Sequence, residues 1–526
     1  MTRPTIMNDD HNDHTSLFPR AAGAYYPLPY FCGISTIIST IVLLHLYRRL
    51  RPRRLPSSLP GPKSYPLVGI LPHVINTWED WPEEAARLSH KYGRTWGGGL
   101  PNVIGMNGAF FFVVDEKAVN HVLSKNFENY IKGAAFRSLY GDLLGWGIFA
   151  TDGDLWRVHR KVMSNMFSRN LLRQTSKVSK AKLDEVAELL RSRISSSPDG
   201  VANLDVQDIF FRMTFDITSY IAFGSEMNSF KADGQHRFAC SFDEMQLLIT
   251  ERILDPLYEL KRLFQIGARE RRITELKKIL TVEAMTIINS RRRSVADGDK
   301  LGPDLLSRFL DHAKKIGQPM RDDELQSVVM NVMIAGRDTT ACALSWGFYE
   351  LTKRPEVIQN VVQEVADICG KEDPDYSYDK ISELRYTHAV VMEILRLHPS
   401  VPNDHKYAVD DDVLPDGTFI PAGSAVAWLP LAMGRDKNIW GDDAAEFKPE
   451  RFLNVKEPSM YRYPVFNAGP RTCLGKPLAL STIKLTLAYL LPKFEFKDSV
   501  GHSGEYKWTM VRSMKSGFPL DVSMKK

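Results

Sequence analysis

The chain has 526 residues, 44% of them hydrophobic and 25% charged, a globular composition that excludes a disordered chain, a collagen and a coiled coil. The formal net charge of +5 is a mild basic excess. It does not point to a nucleic-acid partner, which calls for a concentrated basic face. Most of it sits at one end: residues 1–54 hold seven arginines against three aspartates, a net +4 that leaves +1 for the rest.

Leu28–Tyr47 reads LPYFCGISTIISTIVLLHLY, without Asp, Glu, Lys or Arg. A helix of that length rises about 30 Å, the thickness of a bilayer's hydrocarbon core. A buried core helix or a cleaved signal peptide would also be apolar. A signal peptide, however, has its basic region in front of the apolar run. Here Asp9, Asp10 and Asp13 precede the run, and Arg48, Arg49, Arg51, Arg53 and Arg54 follow it. The expectation is a single transmembrane anchor over 28–47, with the short tail 1–27 lumenal and everything after it cytosolic by the positive-inside rule. Residues 48–64 read as a basic, Pro-rich linker, kept extended by Pro56, Pro60 and Pro62. Residues 65–526 read as one large body. Five scattered cysteines are no disulfide framework and suit a reducing compartment.

Along the body, Phe110–Val114 has the composition of a strand. Asp322–Lys353 contains no proline and places Leu325, Val328, Val329, Val332 and Met333 at three- and four-residue spacing, which predicts one long helix. Further helices are predicted over Pro355–Cys369 and Tyr386–Leu397, and strands over Tyr407–Val409 and Ala425–Leu429. Pro415-Asp-Gly417 and Pro421-Ala-Gly423 flank Thr418–Ile420 and predict a hairpin. A last helix is predicted over Leu478–Leu491. The fold class is mainly α with a minor antiparallel β region, large enough to enclose an apolar cavity.

The loop before that last helix reads Phe466-Asn-Ala-Gly-Pro-Arg471-Thr-Cys473-Leu-Gly475. A free cysteine is usually a small buried hydrophobe. Here Arg471 and the amide end of the following helix would favour a thiolate. With no CxxCH and no neighbouring cysteine, c-type haem attachment and zinc are excluded. The spacing F-x-x-G-x-R-x-C-x-G resembles the haem-ligand loop of the cytochrome P450 family. The resemblance implies that family's fold and a haem b with Cys473 as the axial thiolate ligand of its iron. It also places Phe466 and Arg471 in contact with the haem.

Further motifs follow the family's order across the body. In Ala335-Gly-Arg-Asp-Thr-Thr340, Gly336 costs a helix about 1 kcal/mol relative to Ala, which makes sense if a ligand lies against the backbone. Alone, Asp338 and Thr339 would read as a surface acid and a helix-bonded hydroxyl. The resemblance assigns Thr339 to bound dioxygen and Asp338 to the proton relay. Glu393 and Arg396 share a helix face, and the resemblance joins them with Arg451 in a buried structural network. Trp156 and Arg160 also share a face, and the resemblance makes both haem-propionate donors. Where the family often has a further Arg, this chain has Asn403-Asp-His-Lys406-Tyr407, so Lys406 or His405 has to serve.

Leu397–Pro402, Tyr407–Phe419 and Asp142–Ala150 are similar to the plant- and yeast-type fatty-acid ω-hydroxylases. The implied reaction inserts one oxygen atom from O2 at or near the terminal methyl of a long-chain fatty acid. Another lipophile such as a sterol or terpenoid, an oxygen-independent isomerase, and a haem-binding membrane scaffold are the alternatives. Ala335 stands where some animal ω-hydroxylases have the Glu that esterifies haem, so the haem here is expected to be non-covalent. Phe127–Phe149, Phe238–Ile253 and the helix face near Ile334 and Ala335 are expected to shape the pocket, through Phe136, Tyr140, Trp146, Phe238 and Phe242. Lys132 and Arg137 read as solvated charges that could otherwise pair with a substrate carboxylate. The 53 residues after Cys473 hold no flavin or iron–sulfur module. Electrons are therefore expected from an NADPH-dependent flavoprotein reductase of the endoplasmic reticulum membrane, docking near Arg157, Lys161, Arg471 and Lys476.

Overall fold

The computed structural model describes residues 55–525 other than 57, 67, 102–107, 231–235, 297–301 and 303, and before them Thr36, Ser39 and Thr40. The tail 1–27, the arginine cluster and nearly all of the anchor expected over Leu28–Tyr47 lie outside the described residues. Among the described residues, no helix is long and apolar enough to cross a membrane.

Helix α1 (Trp81–Tyr92) carries Pro82, Glu83 and Glu84 in its first turn, where a missing amide is harmless and acids meet the helix dipole. Helices α2 (Gly133–Leu144) and α3 (Gly153–Ser164) flank the segment 145–152. Helix α4 (Arg169–Ser195) packs on α5 (Val206–Phe223). Helix α6 (Arg237–Thr250) leads through α7 (Tyr258–Phe264) to α8 (Ala268–Ala296), which packs back on α6, and α9 (Leu305–Ile316) follows.

Helix α10 (Asp322–Met333) starts with three acids, and Glu324 accepts a hydrogen bond from the Arg321 backbone amide (3.3 Å). A π turn, Ile334–Asp338, then interrupts the run before α11 (Thr339–Leu351). The helix predicted over Asp322–Lys353 is therefore present, with one wide turn at Ala335-Gly-Arg-Asp. Helices α12 (Pro355–Cys369), α13 (Arg385–Leu397) and α14 (Lys476–Leu490) lie close to their predicted bounds. Helices α11, α13 and α14 pack against one another, and α14 against α4.

A π turn frees a carbonyl that would otherwise be bonded within the helix. The Arg337 carbonyl accepts a hydrogen bond from Thr214 Oγ1 of α5 (2.9 Å). At Gly336, a Cβ would lie 2.5 Å from Thr218 Oγ1, also on α5. The missing side chain lets α5 approach, and Gly336 also borders the main cavity, so the reading of room for a ligand there stands beside the helix contact.

The largest sheet joins β1 (Thr95–Gly99), β2 (Ala109–Val113), β3 (Tyr130–Ile131), β4 (Asp404–Ala408) and, beyond the β5–β6 hairpin (Asp412–Val413, Phe419–Ile420), β7 (Ala425–Trp428). Its order is β1-β2-β7-β4-β3. Lys406 on β4 stands opposite Val426 on β7, and Val413 opposite Phe419 closes the predicted hairpin. The described sheets are antiparallel except at β2–β7, where Phe110 meets Ala425 in parallel. These two strands come from distant parts of the chain, so no hairpin fixes their direction. Two buried apolar clusters form the core, one around β1, β2, β7, α6, α8 and α10, the other around α4, α11, α13 and α14.

Candidate active site

The described residues enclose a cavity of about 390 Å³, within the roughly 300–1,000 Å³ of small-molecule sites. One wall is the π turn and α11, presenting Ala335 and Thr339; another is the Phe466–Gly475 loop; α3 closes one end with Trp156 and Arg160. The lining is mostly apolar.

Cys473 is enclosed by protein yet keeps a free face toward the cavity. Its backbone amide donates to the Phe466 carbonyl (2.8 Å), and Phe466 also lines the cavity. Burial pushes the Cys473 thiol up, while the Gly475 and Lys476 amides at the start of α14 and the Arg160 and Lys476 cations pull the other way. The guanidinium near the sulfur is thus that of Arg160, not the expected Arg471. Arg160 Nη1 donates to the Thr472 carbonyl (2.8 Å), whereas Arg471 is drawn aside by the Asp152 carboxylate (2.9 Å) and the Thr151 carbonyl (2.7 Å). Arg471 lies over the Trp156 ring, 4.7 Å from its centre.

Lys406 is completely buried on β4, and its ammonium has no hydrogen-bond partner among the described residues. It rests over the Phe127 ring at 4.1 Å. Burial, with the Arg471 and Lys132 cations nearby, pushes its pKa well down. The alternative, His405, is engaged by the Tyr407 hydroxyl (3.2 Å) and the Phe136 ring. Lys132, expected to be solvated, is buried against Asp404 and donates to the His405 carbonyl (3.0 Å). Arg137 is half-buried and reaches Asp152 (3.4 Å). Four cations, Arg160, Arg471, Lys406 and Lys132, therefore converge with only Asp152 and Asp404 to balance them. A desolvated positive excess calls for an anionic occupant. An open sulfur on one wall and an unpartnered buried ammonium fit a haem with its iron at Cys473 and its two carboxylates at these cations.

Thr339 faces the cavity, its hydroxyl donating to the Ala335 carbonyl (2.6 Å) while its own carbonyl accepts from Ser400 Oγ (2.7 Å). Asp338 does not line the cavity. It is fully buried behind the π turn, accepting from Arg337 Nη1 (2.8 Å) and Gln246 Nε2 (2.8 Å). Burial holds its carboxyl above the ordinary range, against the pull of Arg337. Arg337 in turn pairs with Asp243, which is 40% exposed, so an ion chain runs from solvent to the residue beside Thr339.

Glu393, Arg396 and Arg451 meet as expected. The Glu393 carboxylate accepts from Arg396 Nε (2.6 Å) and Nη2 (2.7 Å), the Lys448 amide (2.7 Å) and Arg451 Nε (3.3 Å). Arg396 also donates to the Ala444 and Glu446 carbonyls.

Several expectations are corrected. Phe136 lines the cavity, but Tyr140, Trp146, Phe238 and Phe242 do not. Phe238 and Phe242 stack on each other in the core, and Trp146 is 47% exposed. Of the expected docking cations only Arg471 is withdrawn from the surface, buried in the Asp152 pair; Lys161 is exposed, and Arg157 and Lys476 stay at the surface in pairs with Glu128 and Asp154 and with Glu457. Asp152, Asp404, Gln246 and Ser400 also hold the site together, and no sequence motif marks them. Asp152 accepts from the Lys132 and Gly133 amides as well as from Arg471, contacts that no local pattern announces.

Residues 59–514 match the sequence model of the family described as Cytochrome P450. The chain is 31% identical to Cytochrome P450 704B1 of Arabidopsis thaliana, over 88% of this chain and 94% of that protein. It is 32% identical to Cytochrome P450 94A2 of Vicia sativa, over 93% and 96%. It is 31% identical to Cytochrome P450 86B1 of Arabidopsis thaliana, over 92% and 88%. With a free cysteine sulfur, a buried cation cluster and the matching stretch on the same body, the chain belongs to the cytochrome P450 family, haem-thiolate monooxygenases that draw electrons from NADPH through a reductase.

Proposed function

We propose that this monooxygenase hydroxylates long-chain fatty acids at or near the terminal methyl, as a single-pass protein of the endoplasmic reticulum with its catalytic body in the cytosol. The observation that carries the site assignment is that the Cys473 sulfur and the Thr339 side chain open on one apolar cavity. Cys473 ligates the iron. Arg160, Lys406, Arg471 and Trp156 receive the haem carboxylates, and Phe466 packs beside the sulfur. Ala335 has no group that could esterify haem, so the haem is held non-covalently. The bound haem supplies reductive activation of O2 and oxidation of the C–H bond. Thr339 provides a hydroxyl at the reacting centre, and the Asp338 carboxyl, held in place by Arg337 and Gln246, is the acid that passes protons toward it. The apolar walls exclude water and orient the alkyl chain. A terminal C–H is stronger than an internal one, so selectivity for it is a positioning effect.

The domain plan that goes with this reading is a tail over 1–27, an anchor over 28–47, a linker over 48–64 and a haem domain over 65–526. The exposed side chains Leu257, Leu260, Leu263, Phe264 and Ile266, on and beside α7, support a body that rests on lipid. Incubation with a flavoprotein reductase, NADPH and a panel of fatty acids, a sterol and a terpene tests the substrate. Absence of terminal or subterminal alcohols from every acid would refute it. Replacing Cys473 by Ser is expected to abolish the thiolate-type ferrous–CO absorption band.

A further inference from the structure

The segment between α2 and α3 crosses the cavity as a strap, fastened on both sides. On one side the fastener is α10. Asn331 is 1% exposed, and its Oδ1 accepts from the Phe149 amide (3.0 Å) while its Nδ2 donates to the Leu144 and Ser327 carbonyls (2.8 Å each). Ser327, one turn earlier on the same face, accepts from the Trp146 amide (3.1 Å) and donates to the Asp323 carbonyl (2.6 Å). The match leaves no room for side chains. A Cβ on Gly145, which has φ +53°, would lie 2.1 Å from Ser327 Oγ, and one on Gly147 2.1 Å from Asn331 Nδ2. On the other side Arg471 holds the Thr151 carbonyl (2.7 Å), and Arg137 holds the Ala150 carbonyl (3.1 Å). Between the fasteners, Ile148 and Phe149 line the same cavity as Phe136 and Val332.

We infer that Asn331, with Ser327, is a positioning residue for regioselectivity: it fixes the strap so that Ile148 and Phe149 set how an alkyl chain enters the cavity and which carbon reaches the reacting centre. Neither residue lines the cavity, so both act through the strap. The regiochemical part rests on the fatty-acid reading above; the clamp and its effect on chain binding do not.

The test compares the full-length haem protein with Asn331→Leu, which keeps side-chain bulk and removes both polar groups, and with the milder Ser327→Ala. Losing a bond to a buried amide is worth about tenfold in local opening. Amide exchange at Trp146 and Phe149 should therefore rise by about that factor in Asn331→Leu, less in Ser327→Ala, with the ferrous–CO band intact. The dissociation constant of N-dodecylimidazole should rise several-fold while that of imidazole itself stays put. The ratio of terminal to subterminal alcohol from dodecanoate should fall. Unchanged amide exchange would remove the clamp. Faster exchange with unaltered N-dodecylimidazole binding would show that the strap does not shape the chain site. If the parent protein oxidises no fatty acid, the substrate reading fails, while the two imidazoles still decide the role of the strap.

Discussion

Replacing Glu393 by Gln tests whether the buried charge network holds the loop that carries Cys473. Glu393 and Arg396 are both fully buried, and the carboxylate takes four hydrogen bonds, three of them from guanidinium nitrogens. The amide keeps the shape but turns an NH2 toward an Arg396 nitrogen, donor against donor, and leaves the buried Arg396 without an anion, while Arg451 keeps Asp443. Removing one member of a buried pair costs about 3–5 kcal/mol. The Ala444 and Glu446 carbonyls on Arg396 offset some of this, so about 3 kcal/mol is expected, a large part of the 5–15 kcal/mol, roughly, that holds a domain folded. Urea unfolding followed by fluorescence, with haem retention read from the Soret band, measures it. A loss below about 1 kcal/mol with the fold intact would refute the reasoning. The double replacement Glu393→Leu, Arg396→Met removes both charges and should recover part of the loss, because the uncompensated ion is gone.

Three further outcomes are expected. Lys406→Met removes an unpartnered buried ammonium, so the haem-free protein should gain about 1–3 kcal/mol while haem transfers faster to an acceptor globin; movement of both in the same sense would count against a propionate role. His159 is 2% exposed on α3, has no hydrogen-bond partner on either ring nitrogen among the described residues, and is held by burial at about 4 instead of 6.5. The unfolded chain therefore takes up a proton that the folded one refuses, and stability falls as pH drops from 6.5 toward 4, by up to about 3 kcal/mol. His159→Phe should show less of that acid loss in urea titrations at neutral and acid pH. Thr339→Ala should divert electrons to peroxide, lowering product formed per NADPH consumed; unchanged coupling would remove Thr339 from the proton path.

The parts of the site that share a stretch of chain are legible in the sequence. Cys473, Phe466 and Arg471 lie within one loop, and Trp156 and Arg160 fall one turn apart, so spacing brings each group together, while their roles toward haem come from the resemblance. Asp338 shows the limit of that logic. It neighbours Thr339 in sequence, but about 100° of rotation per helical residue turns it away from the cavity. The π turn is likewise invisible, because the apolar spacing on either side of it remains helical. Lysine is rarely buried unless paired, and the carboxylate that pairs Lys132, Asp404, arrives from far along the chain. Phe238 and Phe242 have the composition of a pocket wall and are core, a distinction that composition does not carry.

The wide turn at Ile334–Asp338 has a consequence for length. A helix that fits one extra residue into a turn sets everything beyond it in a rotated register. Deleting one residue within Ile334–Asp338 would let the turn relax to ordinary α geometry with the two halves keeping nearly the same orientation, so Thr339 would stay on the cavity and Ser327 and Asn331 on the strap. A deletion elsewhere has no such slack: the residues between it and the turn would be rotated by about 100°. This helix should therefore tolerate the loss of a residue at its wide turn better than at any other point along it.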